Sequence, residues 1–315
     1  MVWISDKEIE KIITYPALIE ALDDAFAKQD IVSPPKVVHN YKARLATEVN
    51  NFLYMPAWDN DKYFGCKLIT ATLGNKGSEY PYINGVYNLF DAETGRPLVS
   101  MDAKLITNYR TAATSALAAS KLIRKDAASL LVLGNGAISP YFIKAHLTVH
   151  DYKIVYLWGR DKAKSERVIK DLALENSVEL RALDDYRDLL SEVDVISCIT
   201  SAQEALIHQS NLGKGQHLDL AGSFTHDMHE VSSDVITSCS IYTDNIDTTP
   251  FHAGEIVKAV DLGVFDVNQI KGDLKYLCQS PSTSRISTEE NTLFKSTGMA
   301  LEDFVIAQLI WKTIG

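Results

Sequence analysis

The stretch Ser129–His150, SLLVLGNGAISPYFIKAHLTVH, decides the fold of this 315-residue chain. It begins with the apolar run Leu130–Leu133, which is typical of a buried strand and is bounded by Gly134. Beyond this glycine, apolar residues such as Ile138 and Phe142 recur at helical spacing. The stretch therefore predicts a strand, a tight turn and a helix in immediate succession.

The turn has the form Gly-x-Gly-x-x-Ser and consists of Gly134, Asn135, Gly136, Ala137, Ile138 and Ser139. Its first two glycines let the backbone bend sharply and approach a pyrophosphate, whose charge the N-terminus of the following helix stabilises. The turn therefore predicts a dinucleotide-binding site. An ordinary connection between a strand and a helix is the alternative.

The end of the next strand bears on the choice of cofactor. Lys153–Trp158 is a second buried-strand pattern, and a helix is predicted from Asp161 to Glu175. Sites for the unphosphorylated cofactor usually end this strand in an acid that binds the ribose 2′-hydroxyl. Here Gly159 and Arg160 stand there, with Lys162 close behind, and a cation suits the 2′-phosphate of NADPH. We predict NADPH in preference to NADH; a solvated Arg160 is the alternative.

Strand and helix patterns alternate from about residue 126 to residue 285, which predicts an α/β fold with a doubly wound parallel Rossmann sheet. The later elements are LRAL near residue 180, a helix over Asp185–Glu192, and strands over Val193–Thr200, His217–Ala221 and Ser240–Asp244. Ligands bind beyond the carboxyl ends of such strands. Thr200, Ser201, Gly222 and Ser223 follow two of these ends and join the predicted cofactor site.

The chain before residue 120 has a different pattern, which predicts an α+β domain. Ser5 and Glu8 form a capping-box sequence, and Tyr15–Lys28 is an amphipathic helix. Short strand patterns from 32 to 97 predict a mainly antiparallel sheet. The alanine-rich Leu105–Arg124 is a predicted helix.

Composition narrows the class of protein. The formal charge of −10 argues against a nucleic-acid or anionic-membrane surface. The four cysteines show no metal-binding spacing, so no metal is predicted. The N-terminal residues do not have the pattern of a secretory signal, and no apolar run reaches the length of a membrane span. We expect a soluble, cytoplasmic protein.

Six motifs, in order along nearly the whole chain, resemble the ornithine cyclodeaminase/mu-crystallin family. They are YFGCKLIT, GVYNLFDAETGRPL, ITNYRTAATSALAASKL, LVLGNGA, LWGRDKAK and ENTLFKSTGMALED. The resemblance implies a Rossmann domain, expected over 121–293. It also implies a substrate-binding domain that pairs with its copy in a homodimer, expected over 1–120 and rejoined by 294–315.

The resemblance also assigns the substrate site. Lys67 and Arg110 fall where the family binds the carboxylate of small α-amino or α-imino acids. Arg offers a bidentate fork, whereas Lys can also deliver a proton, so Lys67 is the candidate catalytic residue. Lys36 and Arg44 compete for a third cationic position, and Met55 is placed at the same site.

Two further segments complete the cofactor site implied by the resemblance. Thr111 follows Arg110 at a predicted helix start or bend near the cofactor. Lys295, Ser296 and Thr297 belong to a predicted loop, FKSTG, that closes on the nicotinamide before the last helix.

One departure from the family pattern indicates the reaction. Cyclodeaminases of the family carry an Asp just beyond the glycine of the tract HLDLAG, where a carboxylate can shuttle protons. Phe224 stands at that position here, and it cannot move a proton. The tract resembles the form found in reductases of cyclic ketimines, in which an apolar wall packs against the ring. Asp227 is a candidate replacement acid or, alternatively, an N-cap.

The sequence thus predicts an NADPH-dependent reductase of cyclic ketimines. Its substrates are expected to be Δ1-pyrroline-2-carboxylate and also Δ1-piperideine-2-carboxylate, yielding L-proline and L-pipecolate. The alternatives are an ornithine cyclodeaminase, a binding protein that stores NADPH or a small ligand, and an enzyme of N-substituted amino acids.

Overall fold

The computed structural model describes residues 2–42, 49–75, 78–81, 83–172, 174, 178–279 and 285–314. The chain forms two compact units, Met1–Thr111 with Gly298–Gly315, and Ala112–Thr297. The helix α3, Ala103–Leu122, runs through the first boundary, which lies nine positions before the predicted end at residue 120. The roles predicted for the two domains stay predictions.

The first unit is built on a seven-stranded sheet. Its elements in chain order are β1 Val2–Ile4, α1 Asp6–Ile12, α2 Tyr15–Lys28, β2 Ile31–Val32, β3 Val37–Tyr41, β4 Asn50–Asp59, β5 Tyr63–Ala71, β6 Ile83–Asp91, β7 Pro97–Asp102 and, after the second unit, α9 Ala300–Ile314. The order β1-β7-β6-β5-β4-β2, with β3 also beside β4, is antiparallel except at the pair β1 and β7. This confirms the predicted antiparallel sheet and adds β1.

Pro56 lies inside β4, although a proline cannot donate to a strand ladder. On one side, β5 pairs with the residues of β4 from Asn51 to Trp58. On the other side, β3 pairs with residues up to Tyr54, and β2 pairs with Trp58 and Asp59. Pro56 therefore falls in the gap between two short partner strands, where its missing N–H costs nothing.

The helices pack on one face of this sheet. α9 lies against β4 and β5, and α2 lies against α9. The cross-strand register aligns Met55, Lys67 and Tyr87 on neighbouring strands, and all three side chains are buried. Because side chains alternate between faces, this row is fixed on the face covered by α9.

The second unit carries an eight-stranded parallel sheet. Beyond α3 its elements are β8 Ser129–Leu133, α4 Ser139–Val149, β9 Ile154–Trp158, α5 Lys162–Asp171, β10 Glu179–Leu183, β11 Val195–Cys198, β12 His217–Leu220, α6 Ser233–Ser238, β13 Ser240–Thr243, α7 Gly254–Asp261, β14 Gly272–Asp273, α8 Leu274–Gln279 and β15 Thr292–Lys295. The strand order is β10-β9-β8-β11-β12-β15-β13-β14. The direction of winding reverses between β8 and β11, which is the point where a doubly wound sheet opens a ligand crevice. The predicted Rossmann architecture is confirmed.

Two sequence-based assignments in this unit are wrong. The segment 185–192 contains only a single 3-10 turn, Arg187–Leu189, because the Asp185 carboxylate binds the Arg187 backbone N–H and guanidinium and closes the chain locally. The predicted loop FKSTG begins with a buried strand, β15, inserted between β12 and β13. Because β15 is only four residues long and ends in a lysine, its sequence lacks the continuous apolar run that is typical of a buried strand. Within the described ranges, no helix is both long and apolar enough to cross a membrane.

Candidate active site

Four buried charged side chains meet in the first unit. Nζ of Lys67 lies 2.6 Å from Oδ2 of Asp303, and Nε of Arg110 donates to Oδ1 of the same carboxylate at 3.2 Å. Nη1 of Arg110 donates to Oε2 of Glu302 at 2.6 Å. We call Lys67, Arg110, Glu302 and Asp303 the charge quartet. It brings together the two cations that the sequence predicted and two acids that it did not assign.

Local structure explains how the charge quartet forms. Lys67 is on β5 beneath α9, Arg110 is in α3, and the two acids lie in the first turn of α9, where negative charge is favourable. Gly298, just before α9, has a φ of +77°, and a Cβ there would come within 2.5 Å of the Arg110 guanidinium. A glycine is therefore required both for the turn and for the position of Arg110.

Burial changes the pKa of the Lys67 ammonium. Removal from water lowers the pKa of Lys67 to about 8, aided by Arg110 and opposed by Asp303 and Glu302. Burial raises the pKa of the neighbouring Cys66 thiol to about 11 and raises that of the Tyr87 phenol, so both stay neutral. Near neutral pH, the Lys67 ammonium keeps its charge. Its pKa is nevertheless close enough to neutral for the amine to donate or accept a proton.

The other predicted residues of the first unit lie in different surroundings. Met55 is buried opposite Lys67 in the β4–β5 register, whereas Lys36 is half-buried just before β3. Arg44 lies outside the described residues. Thr111 lies in the middle of α3, where its hydroxyl donates to the Thr107 carbonyl at 2.7 Å. It is therefore not at a helix start, and its predicted place near the cofactor stays a prediction.

The glycine-rich turn of the second unit has the form needed to hold a dinucleotide. Gly134 has a φ of +117°, and a Cβ there would lie 2.9 Å from the Ile199 carbonyl oxygen. A Cβ at Gly136 would meet no described protein atom within 4 Å, so the open side of this turn is available to a ligand. Ala137 is exposed and Ile138 is half-buried just before α4. These residues fit a bound pyrophosphate at the helix N-terminus.

Asn135 links this turn to the first turns of α5. Its amide donates to the Asp161 carbonyl at 2.8 Å and to the Ser165 hydroxyl at 3.0 Å. A Cβ at Gly159 would lie 2.1 Å from Asn135 Cγ, so this glycine makes room for the Asn135 side chain. Asn135 and Gly159 therefore position the turn.

The two cations beyond β9 differ in their contacts. Arg160 is exposed, and the described part of the chain offers it no ion-pair or hydrogen-bond partner. Lys162 is instead paired with Asp184, which follows β10. Arg160 thus remains the better candidate for a 2′-phosphate.

A buried acid, Glu230, joins the ends of two neighbouring strands. Its Oε1 accepts hydrogen bonds from the N–H and hydroxyl of Thr200, and its Oε2 accepts from the N–H groups of Gly222 and Ser223. A Cβ at Gly222 would lie 2.3 Å from Glu230 Oε1 and 2.0 Å from the Thr200 carbonyl. Burial, with the nearby Glu255, raises the pKa of Glu230 to about 7, whereas Lys295 opposes the rise.

Lys295 is part of this buried network and not of a surface loop. Its ammonium donates to the Ser223 hydroxyl at 2.7 Å and lies 3.0 Å from Oε1 of Glu255 in α7. The side chain is fully buried. The loop assignment of Lys295 is therefore wrong: the residue ends the buried strand β15. Its ammonium balances the buried acids Glu255 and Glu230.

Asp244 organises the segment that follows β15. Its carboxylate accepts from the Ser296 hydroxyl at 2.9 Å and from the Thr297 N–H at 2.8 Å. Ser201, beyond β11, is exposed. These residues border the same carboxyl edge of the sheet as the glycine-rich turn, because all the strands are parallel.

The loop after β12 carries Phe224 at its surface. Its side chain is 47% exposed and is therefore accessible to a ligand. Asp227 lies in a turn and accepts from Thr225 and Gln203. These hydrogen bonds lower its pKa, and α6 begins only at Ser233. The N-cap interpretation of Asp227 is therefore wrong, and the group is a poor proton donor.

Comparison with known proteins settles the relationship that these sites suggest. The ornithine cyclodeaminase/mu-crystallin family profile matches residues 2–314. The chain belongs to this family. A Δ1-pyrroline-2-carboxylate reductase of Colwellia psychrerythraea is 32% identical over 309 residues, which cover 98% of this chain and 97% of the relative.

Solved structures of similar proteins agree in fold. A Thermococcus litoralis Δ1-pyrroline-2-carboxylate reductase in complex with NADH and L-proline has a TM-score of 0.91 at 23% identity, covering 99% of this chain and 97% of that one. An archaeal alanine dehydrogenase dimer with bound NAD has a TM-score of 0.89, also at 23% identity, covering 99% and 95%. The fold of this ornithine cyclodeaminase/mu-crystallin family member is therefore shared with proteins that bind nicotinamide cofactors.

Sequence reasoning missed four acids of this family member: Glu230, Glu255, Glu302 and Asp303. Glu230 and Glu255 lie in segments of mixed polarity that give no local indication of burial. The adjacent pair Glu302-Asp303 within the apolar tail ALEDFVIA was the available indication, because two acids on an otherwise apolar helix need buried partners.

Proposed function

We propose that this chain is an NADPH-dependent reductase of cyclic ketimines. It converts Δ1-pyrroline-2-carboxylate to L-proline and Δ1-piperideine-2-carboxylate to L-pipecolate. The observation that carries the proposal is the combination of the buried cations Lys67 and Arg110 with an exposed Phe224 where the cyclodeaminases of the family have an acid. The relatives named Δ1-pyrroline-2-carboxylate reductase support it.

The reaction needs few protein groups. Lys67 and Arg110 bind the substrate carboxylate, and the ring nitrogen carries a proton so that its C=N carbon becomes a good hydride acceptor. A reduced nicotinamide, when bound, supplies the hydride. The carbon gains the hydride, the nitrogen keeps its proton, and the C=N double bond becomes a single bond. Phe224, unlike the acid of the cyclodeaminases, can supply no proton to this reaction.

The cofactor proposal rests on the end of β9. An unpaired, exposed Arg160 suits the 2′-phosphate of NADPH. The first acid after the strand, Asp161, is engaged as the N-cap of α5, where it accepts the Lys164 N–H at 3.2 Å. NADH should also bind, because the pyrophosphate turn contacts a group that NADH and NADPH share. It should bind more weakly, because it lacks the 2′-phosphate.

The outer face of the first sheet supports a homodimer. Trp58, Phe64 and Phe90 form a row on the face opposite Lys67, with ring centroids 6.4 Å and 5.6 Å apart. Trp3 on the same face is 54% exposed. A partly exposed apolar face of this kind is typical of an interface, and we propose that a second copy of this chain covers it.

Oxidation of NADPH and of NADH with Δ1-pyrroline-2-carboxylate tests the proposal. An assay of ammonia release from ornithine with NAD runs in parallel. Fast imine reduction that prefers NADPH, without ammonia, is the expected result. Ammonia release would instead identify a cyclodeaminase, and tight NADPH binding with no turnover of any cyclic imine would identify a binding protein.

A further inference from the structure

Asp303 joins the two cations of the proposed substrate site through a single carboxylate. Its Oδ2 lies 2.6 Å from Nζ of Lys67, and its Oδ1 accepts the Nε–H of Arg110 at 3.2 Å. Glu302, the preceding residue of α9, lies 2.6 Å from Nη1 of Arg110. Because each oxygen of Asp303 contacts a different cation, this carboxylate fixes the spacing between Lys67 and Arg110.

The packing of α9 on β5 holds Asp303 above Lys67. Gly65 lies two residues before Lys67 and therefore faces the same side of β5. A Cβ at Gly65 would lie 2.1 Å from Oη of Tyr87 and 3.0 Å from Cδ2 of Phe304. The glycine thus lets the buried Phe304, which adjoins Asp303 in α9, approach the strand closely. This close contact between helix and strand anchors the Asp303 carboxylate.

The Lys67 ammonium has a second fixed partner in α3. Its Nζ donates to Oγ1 of Thr107 at 3.3 Å, and this hydroxyl donates in turn to the Ala103 carbonyl at 2.7 Å. An ammonium carries three N–H donors. Among the residues that the structure describes, Asp303 and Thr107 engage two of them, so the third is available to a ligand. The two partners therefore set the direction in which Lys67 can bind a carboxylate.

Asp303 is also the strongest charge that favours the ammonium form of Lys67. Burial and the neighbouring Arg110 lower the pKa of Lys67, whereas Asp303 raises it through its charge and its hydrogen bond, and Glu302 raises it less. The two other titratable side chains at this position stay neutral, and they are Cys66 on β5 and Tyr87 on β6. Loss of the Asp303 charge should therefore let the buried amine lose its proton at lower pH.

We propose that Asp303 is a positioning residue for imine reduction, which holds the Lys67 ammonium against the substrate carboxylate and keeps it protonated. This inference rests on the proposed function. Asp303 acts through Lys67 and does not itself contact the substrate. It does so whatever the total charge of the site, because a further cation such as Lys36 is the same with and without this carboxylate.

The pH dependence of kcat/KM for Δ1-pyrroline-2-carboxylate with saturating NADPH tests the inference on the full chain. The kcat/KM of the unsubstituted protein is divided by that of Asp303→Asn at each pH, which cancels the ionisations of the shared substrate and cofactor. The Lys67 pKa should fall by about one unit or more in the variant, so this ratio should rise about tenfold or more between about pH 6 and about pH 9. A ratio that does not change with pH, as a purely structural defect would give, overturns the inference.

Glu302→Gln is the matched control, because Glu302 is a buried acid of the same helical turn that acts on Lys67 more weakly than Asp303. Its ratio should change by less than about threefold over the same pH range. An equal pH dependence in both variants would show that any acid of this turn suffices, and it would overturn the role given to Asp303.

Thr107→Val keeps the inference testable if Asp303→Asn does not fold. It removes the neutral partner of the ammonium and leaves Asp303 in place, so its ratio should also change by less than about threefold. A tenfold change would transfer the role to Thr107 and overturn the inference. Failure of the unsubstituted protein to reduce the imine overturns the proposed function, whereas intact reduction with a pH-independent ratio overturns only this inference.

Discussion

Oε1 of Glu230 accepts the backbone N–H of Thr200 at 2.7 Å, which ties the loop after β12 to the end of β11. Both segments border the carboxyl edge of the parallel sheet, where a dinucleotide lies in this fold. Glu230 itself is fully buried and does not line the surface. We therefore propose that Glu230 positions the two loops of the predicted cofactor site.

Replacing Glu230 with Gln should disturb these loops. Three backbone N–H groups and a hydroxyl donate to its two oxygens, and the amide NH₂ of Gln cannot accept from any of them. We expect a loss of about 1–3 kcal/mol in stability and an increase of about tenfold in KM for NADPH. Thermal unfolding and steady-state kinetics measure the two effects. Asp227→Asn, an exposed acid in the same loop, is the control, and an equal effect of both variants would contradict the positioning role.

The pH dependence of product binding should report Lys67. Burial lowers the pKa of Lys67 to about 8, so this cation loses its proton, and the charge quartet becomes negative, as the pH rises through that value. The secondary ammonium of free L-proline loses its proton only at a higher pH than Lys67, because it lies next to an ionised carboxylate. The affinity for L-proline should therefore fall above about pH 8 through Lys67 alone. Lys67→Arg keeps the charge and should remove this alkaline decline. A decline that persists in the Arg variant would assign the titration to another group.

The preference for NADPH, which carries a 2′-phosphate, over NADH should depend on Arg160. Arg160→Ala removes an exposed cation, and we expect KM for NADPH to rise by about tenfold while KM for NADH stays nearly constant. Arg167→Ala is a suitable control, because Arg167 is an exposed cation of the adjacent helix α5. Equal losses with both cofactors would show that Arg160 supports the fold of the turn and does not read the phosphate.

A charged side chain introduced on the apolar outer face of the first sheet should dissociate the proposed dimer. Leu68 is half-exposed on the outer face of the first sheet, and Leu68→Arg should shift the mass measured by light scattering from two chains to one. The matched control is Leu262→Arg, at a leucine of the second unit that is 61% exposed. A monomeric mass for the unsubstituted protein would contradict the dimer.

Local sequence patterns predicted most of the second sheet correctly. Six of its eight strands, β8 to β13, were predicted from short strand patterns, and the central ones are the clearest because a central parallel strand is buried on both faces. β15 escaped this reasoning. It has only four residues and ends in Lys295, whose buried ammonium finds its carboxylate partner in α7.

The sequence by itself determined the α/β class, the dinucleotide turn, the family resemblance and the two candidate cations, since each is carried by contiguous residues with a characteristic spacing. Only the tertiary structure decided what those cations face. Arg110 and Asp303 are 193 positions apart, and Thr200 and Glu230 are 30 apart. Contacts of this kind are set by how strands and helices pack and leave no local pattern, so the acids that pair with Lys67 and Arg110 and that join the loops after β11 and β12 appeared only in the folded chain.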